Sequence, residues 1–476
     1  MTFDISNREC YWFSKISEIP RASYHEKQIS DFIVQFAKEH QLKYTQDEVW
    51  NVCVYKPASK GCETASPIIL QGHIDMVPSK VPGSTHDFSK DPIEIYEENG
   101  FLKAKGTTLG ADDGIAVAWM LSILEDTTLV HPPLECIFTV QEEVGLGGAL
   151  HLKPSDIQAD RLISLDSMGE GVADLCCAGG CYVECSKRFQ TMNNTDPTYT
   201  LYIDGLKGGH SGADIHLERG NAIHILVRIL QEIQCDVHLI DFTCDNAANV
   251  IPSNATVTFS SNVNKGTIEL AIQASFQFIH EELISSDPDV SYTFAQVDTA
   301  STCADSTTTK DILDFIQLTP NGFGHRSMSI KGLTVTSLNL GTVKTAENTI
   351  TMTWLLRSMF DSAVKEMCQK IEIAASRCNI QYSASSFFPG WQYSEVSKIR
   401  DKFAKAMEHQ GKKLIVKAEH GGLEVGIFAS LHPGLDITTI GANCTGFHSP
   451  QEQLDIQSFH NGMETLKDVL KQCTKD

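Results

Sequence analysis

Short apolar runs that end on a histidine or an acid recur along this chain, and they constrain its fold more than any other feature. Ser66-Pro-Ile-Ile-Leu-Gln-Gly runs into His73-Ile-Asp75, and Arg161-Leu-Ile-Ser-Leu ends on Asp166. Ile137-Phe138-Thr139-Val140 runs into Gln141-Glu142-Glu143 and the glycine-rich Gly145-Leu-Gly-Gly148. Leu435-Asp-Ile-Thr-Thr-Ile-Gly441 leads to a loop that carries His448. Apolar runs of this length, bounded by turn residues, read as strands buried on both faces. In an open α/β sheet the C-terminal strand ends gather in one crevice, where ligands bind. The pattern predicts an α/β domain with its titratable side chains collected at one sheet edge.

Local spacing sharpens the candidates. Period two places His73 and Asp75 on one side of extended backbone, so a carboxylate can orient a ligand imidazole. Neighbours on extended backbone point to opposite sides, so Glu142 and Glu143 can divide metal binding and proton handling between them. The glycine-punctuated loop Gly106–Gly114 holds Asp112 and Asp113 and opens a helix with Ile115, Ala118 and Leu121 on one side. Acids at a helix start complement its dipole, which accounts for one aspartate better than for two. Near the N-terminus, residues 4–40 read as helices. Ser23 and Glu26 have capping-box spacing, followed by the stripe Ile29, Phe32, Ile33 and Phe36.

At 476 residues the chain is too long for one ordinary domain. Residues 1–185 and 390–476 read as one discontinuous catalytic domain, a mixed sheet flanked by helices. Residues 186–389 read as an inserted α+β domain. Its strands are expected at 198–204, 255–262, 290–298, 335–342 and 348–357, with helices near 223–233, 267–285, 308–318 and 362–378. A last helix over 456–472 closes the fold.

Composition excludes several classes of partner. The net charge is −22, from 38 Lys+Arg against 60 Asp+Glu. That field repels nucleic acid and anionic membrane surfaces. The polar N-terminus carries no signal-peptide pattern, and no apolar run reaches the roughly 18 to 20 residues of a membrane span. Fifteen scattered cysteines fit reduced thiols of a cytoplasmic protein. Cys176, Cys177, Cys181 and Cys185 lack the repeated spacing of a zinc ribbon and read as small buried thiols.

Two histidines with three or four carboxylates suit two divalent ions, zinc first and manganese or cobalt next. An aspartate at the helix entry is short enough to bridge them, and Glu142 is placed to act as general base.

These motifs resemble the M20 metallopeptidases: His73-Ile-Asp75, Gly110-Ala-Asp112-Asp113-Gly114, Glu142-Glu143-Val-Gly-Leu-Gly-Gly, Leu165-Asp166, Gly208-Gly-His210-Ser-Gly and His448-Ser-Pro. Gly106-Thr-Thr-Leu-Gly-Ala-Asp, Cys177-Ala-Gly-Gly and Phe388-Pro-Gly-Trp are similar to its cytosolic non-specific dipeptidase (aminoacyl-histidine dipeptidase, peptidase D) branch. The resemblance implies that Asp112 bridges the two ions. His73 and Asp166 then complete one site, and Glu143 and His448 the other. It further implies that Asp75 orients His73, Glu142 is the base and His210 stabilises the oxyanion, reaching the neighbouring subunit's site in a homodimer. Asn249 and Arg357 would hold the carbonyl and carboxylate of a small peptide substrate. The activity implied is hydrolysis of unblocked dipeptides, Xaa-His included. The alternatives are an N-acyl amino acid deacylase on the same fold and, more remotely, an inactive metal-binding scaffold. Two positions depart from the branch: Asp113 stands where Asn is common, and Ser167-Met168-Gly169 replaces an acidic run.

Overall fold

The computed structural model describes residues 2–167, 169–233 and 237–475; Met168 lies outside the described residues. The chain forms two units. One comprises Met1–Leu175, Trp391–Ala418 and Leu423–Asp476, the other Cys176–Gly390 and Glu419–Gly422.

Six strands of the first unit make its main sheet: β1 (Lys43–Gln46), β2 (Val52–Lys56), β3 (Ile68–His73), β4 (Leu134–Thr139), β5 (Arg161–Ser164) and β6 (Asp436–Thr439). They form one sheet in the order β1-β2-β4-β3-β5-β6. Strands β4, β3, β5 and β6 run parallel, and β1 and β2 close one side as an antiparallel pair. Every residue of β3, β4 and β5 is buried. All four parallel strands therefore end at one sheet edge. His73 closes β3, Glu142 follows β4 by three residues and Asp166 follows β5 by two.

Helices α2 (Lys27–Glu39), α3 (Ala111–Glu125) and α4 (Lys398–His409) pack on this sheet, with α1 (Arg8–Ser17) against α3 and α5 (Ile456–Gln472) against α4. The sequence predicts a one-sided α3, but within it only Asp112 and Glu125 escape burial. It packs against β3 and α1, and Trp119 stacks on Phe459 of α5 at 5.7 Å. A helix hydrophobic all round must be covered all round. The expected capping box also does not form. Glu26 is the N-cap residue of α2 but makes no side-chain cap. Ser23 instead donates its hydroxyl to Asp75 at 2.8 Å, and Glu26 accepts the Gln141 N–H at 3.2 Å. Both side chains turn toward the strand ends.

The two larger sheets of the second unit are antiparallel. One has the strand order 238–243, 255–260, 198–204 and 291–297; the other runs 322–326, 334–346, 349–358, 179–188 and 381–388. Helices Ala222–Glu232, Lys265–Leu283 and Ser306–Leu318 start at the side-chain caps Asn221, Asn264 and Asp305, each worth about 1 kcal/mol. Buried Trp354 meets Phe315 edge-on at 5.5 Å within the unit's core. Cys176, Cys177, Cys181 and Cys185 are all buried.

Gly462 marks where α5 approaches α3. A Cβ added there would overlap the buried Trp119 ring. Alanine normally favours a helix over glycine by about 1 kcal/mol. Here overpacking reverses the sign, so Gly462→Ala is expected to destabilise by ~1–3 kcal/mol. Thermal unfolding should show a midpoint lowered by a few degrees; a midpoint at or above wild type would contradict this packing.

Candidate metal centre

Asp75, two residues past the end of β3, is fully buried. Its carboxylate accepts the Ser23 hydroxyl at 2.8 Å, the Glu142 N–H at 3.1 Å and the Glu143 N–H at 3.3 Å. It also stands 3.3 Å from His73 Nδ1. A carboxylate on Nδ1 leaves Nε2 available as a ligand atom. Burial opposes the Asp75 charge, but His73, Ser23 and the Glu142 N–H outweigh it and hold the carboxyl below its usual range.

The paired N–H bonds to Asp75 explain a departure from the sequence reading. β4 ends at Thr139, and Gln141 enters the left-handed region at φ 56°. Glu142 and Glu143 thus lie on a turn rather than on extended backbone, closed by Gly145 and Leu146 N–H bonds to the Glu142 carbonyl. Instead of opposing each other, both carboxylates bring an oxygen to within 4.8 Å of a His73 ring nitrogen.

Asp112 and Asp113 both leave helical dihedrals at the start of α3, and the geometry separates them. Asp112 directs Oδ1 to His73 Nε2 at 2.9 Å and Oδ2 to His448 Nε2 at 3.3 Å. His448 Nε2 also lies 3.1 Å from Glu143 Oε2. Asp113 accepts the Ala116 N–H at 3.2 Å, and its carboxylate joins His73 and Asp166 in a second cluster. Gly72 makes room for it, since a Cβ there would press on Asp113 Oδ2 and Ala116. Three donor groups follow, each with its ligand atoms within 4.8 Å: His73–Asp113–Asp166, His73–Glu142–Glu143 and Asp112–Glu143–His448.

The electrostatics ask for cations. Desolvation, with repulsion from Asp166 and Glu143, holds the Glu142 carboxyl well above its usual value. Desolvation and Asp112 push Asp166 up to about 7. Burial and Asp166 raise Asp113 as well. Asp112 moves the other way: burial opposes its charge, yet His448 and His73 keep it well below the usual range. Asp112 and Glu143 lift His448 to about 10. Glu143 Oε1 and Asp113 Oδ2 are buried without a hydrogen-bond partner. Hard oxygen donors crowded around two imidazoles, two of them with unmatched lone pairs, fit a pair of divalent ions.

The second unit gathers the other three predicted residues around Ser211. Ser211 N–H donates to the Asn249 carbonyl at 2.8 Å, and Arg357 Nε lies 3.5 Å from its hydroxyl. His210 pairs with Val250 across a short ladder, and its Nδ1 accepts the Ala213 N–H at 3.1 Å. Nδ1 is thus an acceptor, which leaves the ring proton on Nε2. Arg357 is 6 % exposed, and burial pulls its guanidinium below the usual value.

Four residues support the centre in roles that the sequence does not announce, Glu26 among them despite its cap-like spacing. Arg21, Glu26, Glu424 and Glu452 are buried beside the strand ends. Glu424 accepts from Gln71 and Thr139, both at 2.6 Å, and burial raises it to about 8. None lies in an apolar run or glycine loop, so only contacts over long sequence separations reveal them.

The sequence profile of peptidase family M20/M25/M40 matches residues 69–472. The cytosol non-specific dipeptidase of Escherichia coli K12 is 36 % identical over 470 residues, covering 97 % of this chain and 96 % of that protein. The crystal structure of aminoacylhistidine dipeptidase from Vibrio alginolyticus superposes with a TM-score of 0.88 at 32 % identity, covering 98 % of each chain. A tripeptidase from Staphylococcus aureus shares the fold at a TM-score of 0.59 and 15 % identity over 99 % of each chain.

The two-sided contacts of Asp112 predict unequal effects at the neighbouring aspartates. Asp112→Asn should strip most bound metal, measured by elemental analysis after dialysis. Asp113→Asn, which touches only the group with His73 and Asp166, should lose less of it. Equal losses in both would remove the distinction.

Proposed function

The chain belongs to peptidase family M20/M25/M40, and from that premise we propose that it is a metal-dependent dipeptidase hydrolysing unblocked dipeptides, Xaa-His among them. The observation that carries this reading is Asp112, whose two oxygens face His73 and His448 from opposite ends of the chain. Similarity to two dipeptidases over nearly the whole chain favours this activity over an N-acyl amino acid deacylase or a silent scaffold.

His73, Asp112 and Asp166 would hold one ion, and Asp112, Glu143 and His448 the other. Zinc suits these donors best, with manganese or cobalt next. Bound there, the pair supplies Lewis acidity toward the peptide carbonyl and makes a water acidic enough to attack. Glu142 takes that water's proton and passes it to the leaving amine; burial, with repulsion from Asp166 and Glu143, raises its proton affinity, as such a base requires. Asp75 keeps His73 in its ligating tautomer. His210 donates from Nε2 to the oxyanion, a contribution of roughly 3 to 4 kcal/mol at comparable sites. Arg357, buried with a serine hydroxyl as its hydrogen-bond partner, receives the substrate carboxylate. Asn249 contacts the substrate carbonyl.

The inserted unit serves as lid and dimerisation domain. Leu270, Ala274 and Phe278 line up at four-residue spacing on one helix; Leu270 is 69 % and Phe278 64 % exposed. Strand Ser291–Val297 leaves one edge of its sheet open. Both features suit a homodimer partner. The likeness to a cytosol dipeptidase supports a cytoplasmic enzyme; no described helix is long and apolar enough to cross a membrane.

Glu142→Gln should keep its metal content and lose at least 10²-fold in kcat on free dipeptides, the usual scale for a general base. Near-wild-type turnover would remove Glu142 from that role. A panel pairing free dipeptides with N-acetylated amino acids separates peptidase from deacylase, and turnover of only the acetylated set would overturn the proposal. The double substitution Leu270→Glu with Phe278→Glu should shift sedimentation toward the monomer.

A further inference from the structure

Glu452 stands four residues after His448 and takes no part in the chemistry above. Its carboxylate is 3 % exposed and accepts four backbone N–H groups from one short stretch. Oε2 takes Leu109 at 2.7 Å and Gly110 at 2.9 Å, while Oε1 takes Ala111 at 2.8 Å and Asp112 at 3.3 Å. The first N–H groups of a helix have no partner inside it and usually bond to the residue just before. Here that residue is Gly110, left-handed at φ 70° and without a side chain. A Cβ there would strike Arg21 and Met76. The cap comes instead from the far end of the chain.

The same stretch is gripped on its carbonyl side. The Arg21 guanidinium donates to the Gly110 carbonyl and, at 3.1 Å, to the carbonyls of Ile74 and Asp75. His448 needs anchoring of its own, because its side chain is 49 % exposed and its backbone sits at φ 58°. A non-glycine residue holds that conformation only where its surroundings impose it. Ser449 closes the loop by donating to the Gly446 carbonyl at 2.7 Å and accepting the Glu452 N–H at 3.1 Å.

We propose that Glu452 is a positioning residue of the dinuclear centre, locking the loop that carries Asp112 to the loop that carries His448. The inference rests on the dinuclear reading. The two ion sites depend on this lock unequally. The His73 and Asp166 ligands stand on the ends of β3 and β5 and need Glu452 only through Asp112. The other set draws two of its three ligands, Asp112 and His448, from the locked loops.

The test compares wild type, Glu452→Gln and Glu452→Asp after metal removal, each titrated with Zn²⁺ against a chromophoric chelator. Co²⁺ absorption is followed in parallel, with circular dichroism confirming the fold. Wild type should bind two ions. Glu452→Gln turns an amide N–H toward the backbone donors and should weaken one ion about 10- to 100-fold more than the other, the scale of lost support around metal ligands. The Co²⁺ band of the second equivalent should change with it. Glu452→Asp keeps the charge and should recover part of the affinity, and it carries the test if the glutamine variant does not fold. Two unchanged affinities in the variants, or equal weakening of both ions, would overturn the positioning role. Fewer than two ions in wild type would overturn the dinuclear reading instead.

Discussion

One buried carboxylate decides where three segments of this protein end. Asp75 collects the Ser23 hydroxyl, the His73 ring and the N–H groups of Glu142 and Glu143. Ionising a carboxylate in the interior is costly unless its oxygens are matched by donors, and here they are. The donors come from three segments: the turn before α2, the end of β3, and the turn after β4. The same bonds therefore select the His73 tautomer and bend the Glu142–Glu143 backbone toward it.

Around this anchor the strand ends concentrate negative charge that the rest of the fold has to tolerate. Desolvation and mutual repulsion raise Asp166, Asp113 and Glu142, and His73 and His448 are the only imidazoles facing them in the donor groups found among the described residues. Such an arrangement weakens the domain locally and prepares it for cations, the exchange of stability for preorganisation expected at functional sites. Arg21 lies behind the centre, its guanidinium spent on carbonyls rather than on a carboxylate. It offsets part of the field without competing for a ligand oxygen.

Much of this was legible in the sequence, for identifiable reasons. Runs such as Ile68–Leu70 and Leu162–Ile163 announce buried strands, and the residues that end them become the site. Helix α5 runs over Ile456–Gln472, where its spacing places it. Other features were hidden because a tertiary partner overrode the local rule. Ser23 and Glu26 have the spacing of a cap yet serve Asp75 and Gln141 instead. Glu142 and Glu143 read as alternating, but two N–H bonds to Asp75 make a turn. Asp112 and Asp113 are equivalent on paper and are told apart only by which oxygens meet the two imidazoles. Nothing local marks Glu452 as the cap of a helix that begins 341 residues earlier.

The order of the strands bears on how the molecule is made. Among the described residues β6 pairs only with β5, and His448 and Glu452 follow it in sequence. During translation the ribosome releases β1 to β5 and then the whole inserted unit before β6 exists. Until then β5 has an unpaired edge, the kind of surface on which chains aggregate. A nascent chain stalled in that interval would carry an acidic nest open on one side, so chaperone demand should be concentrated there.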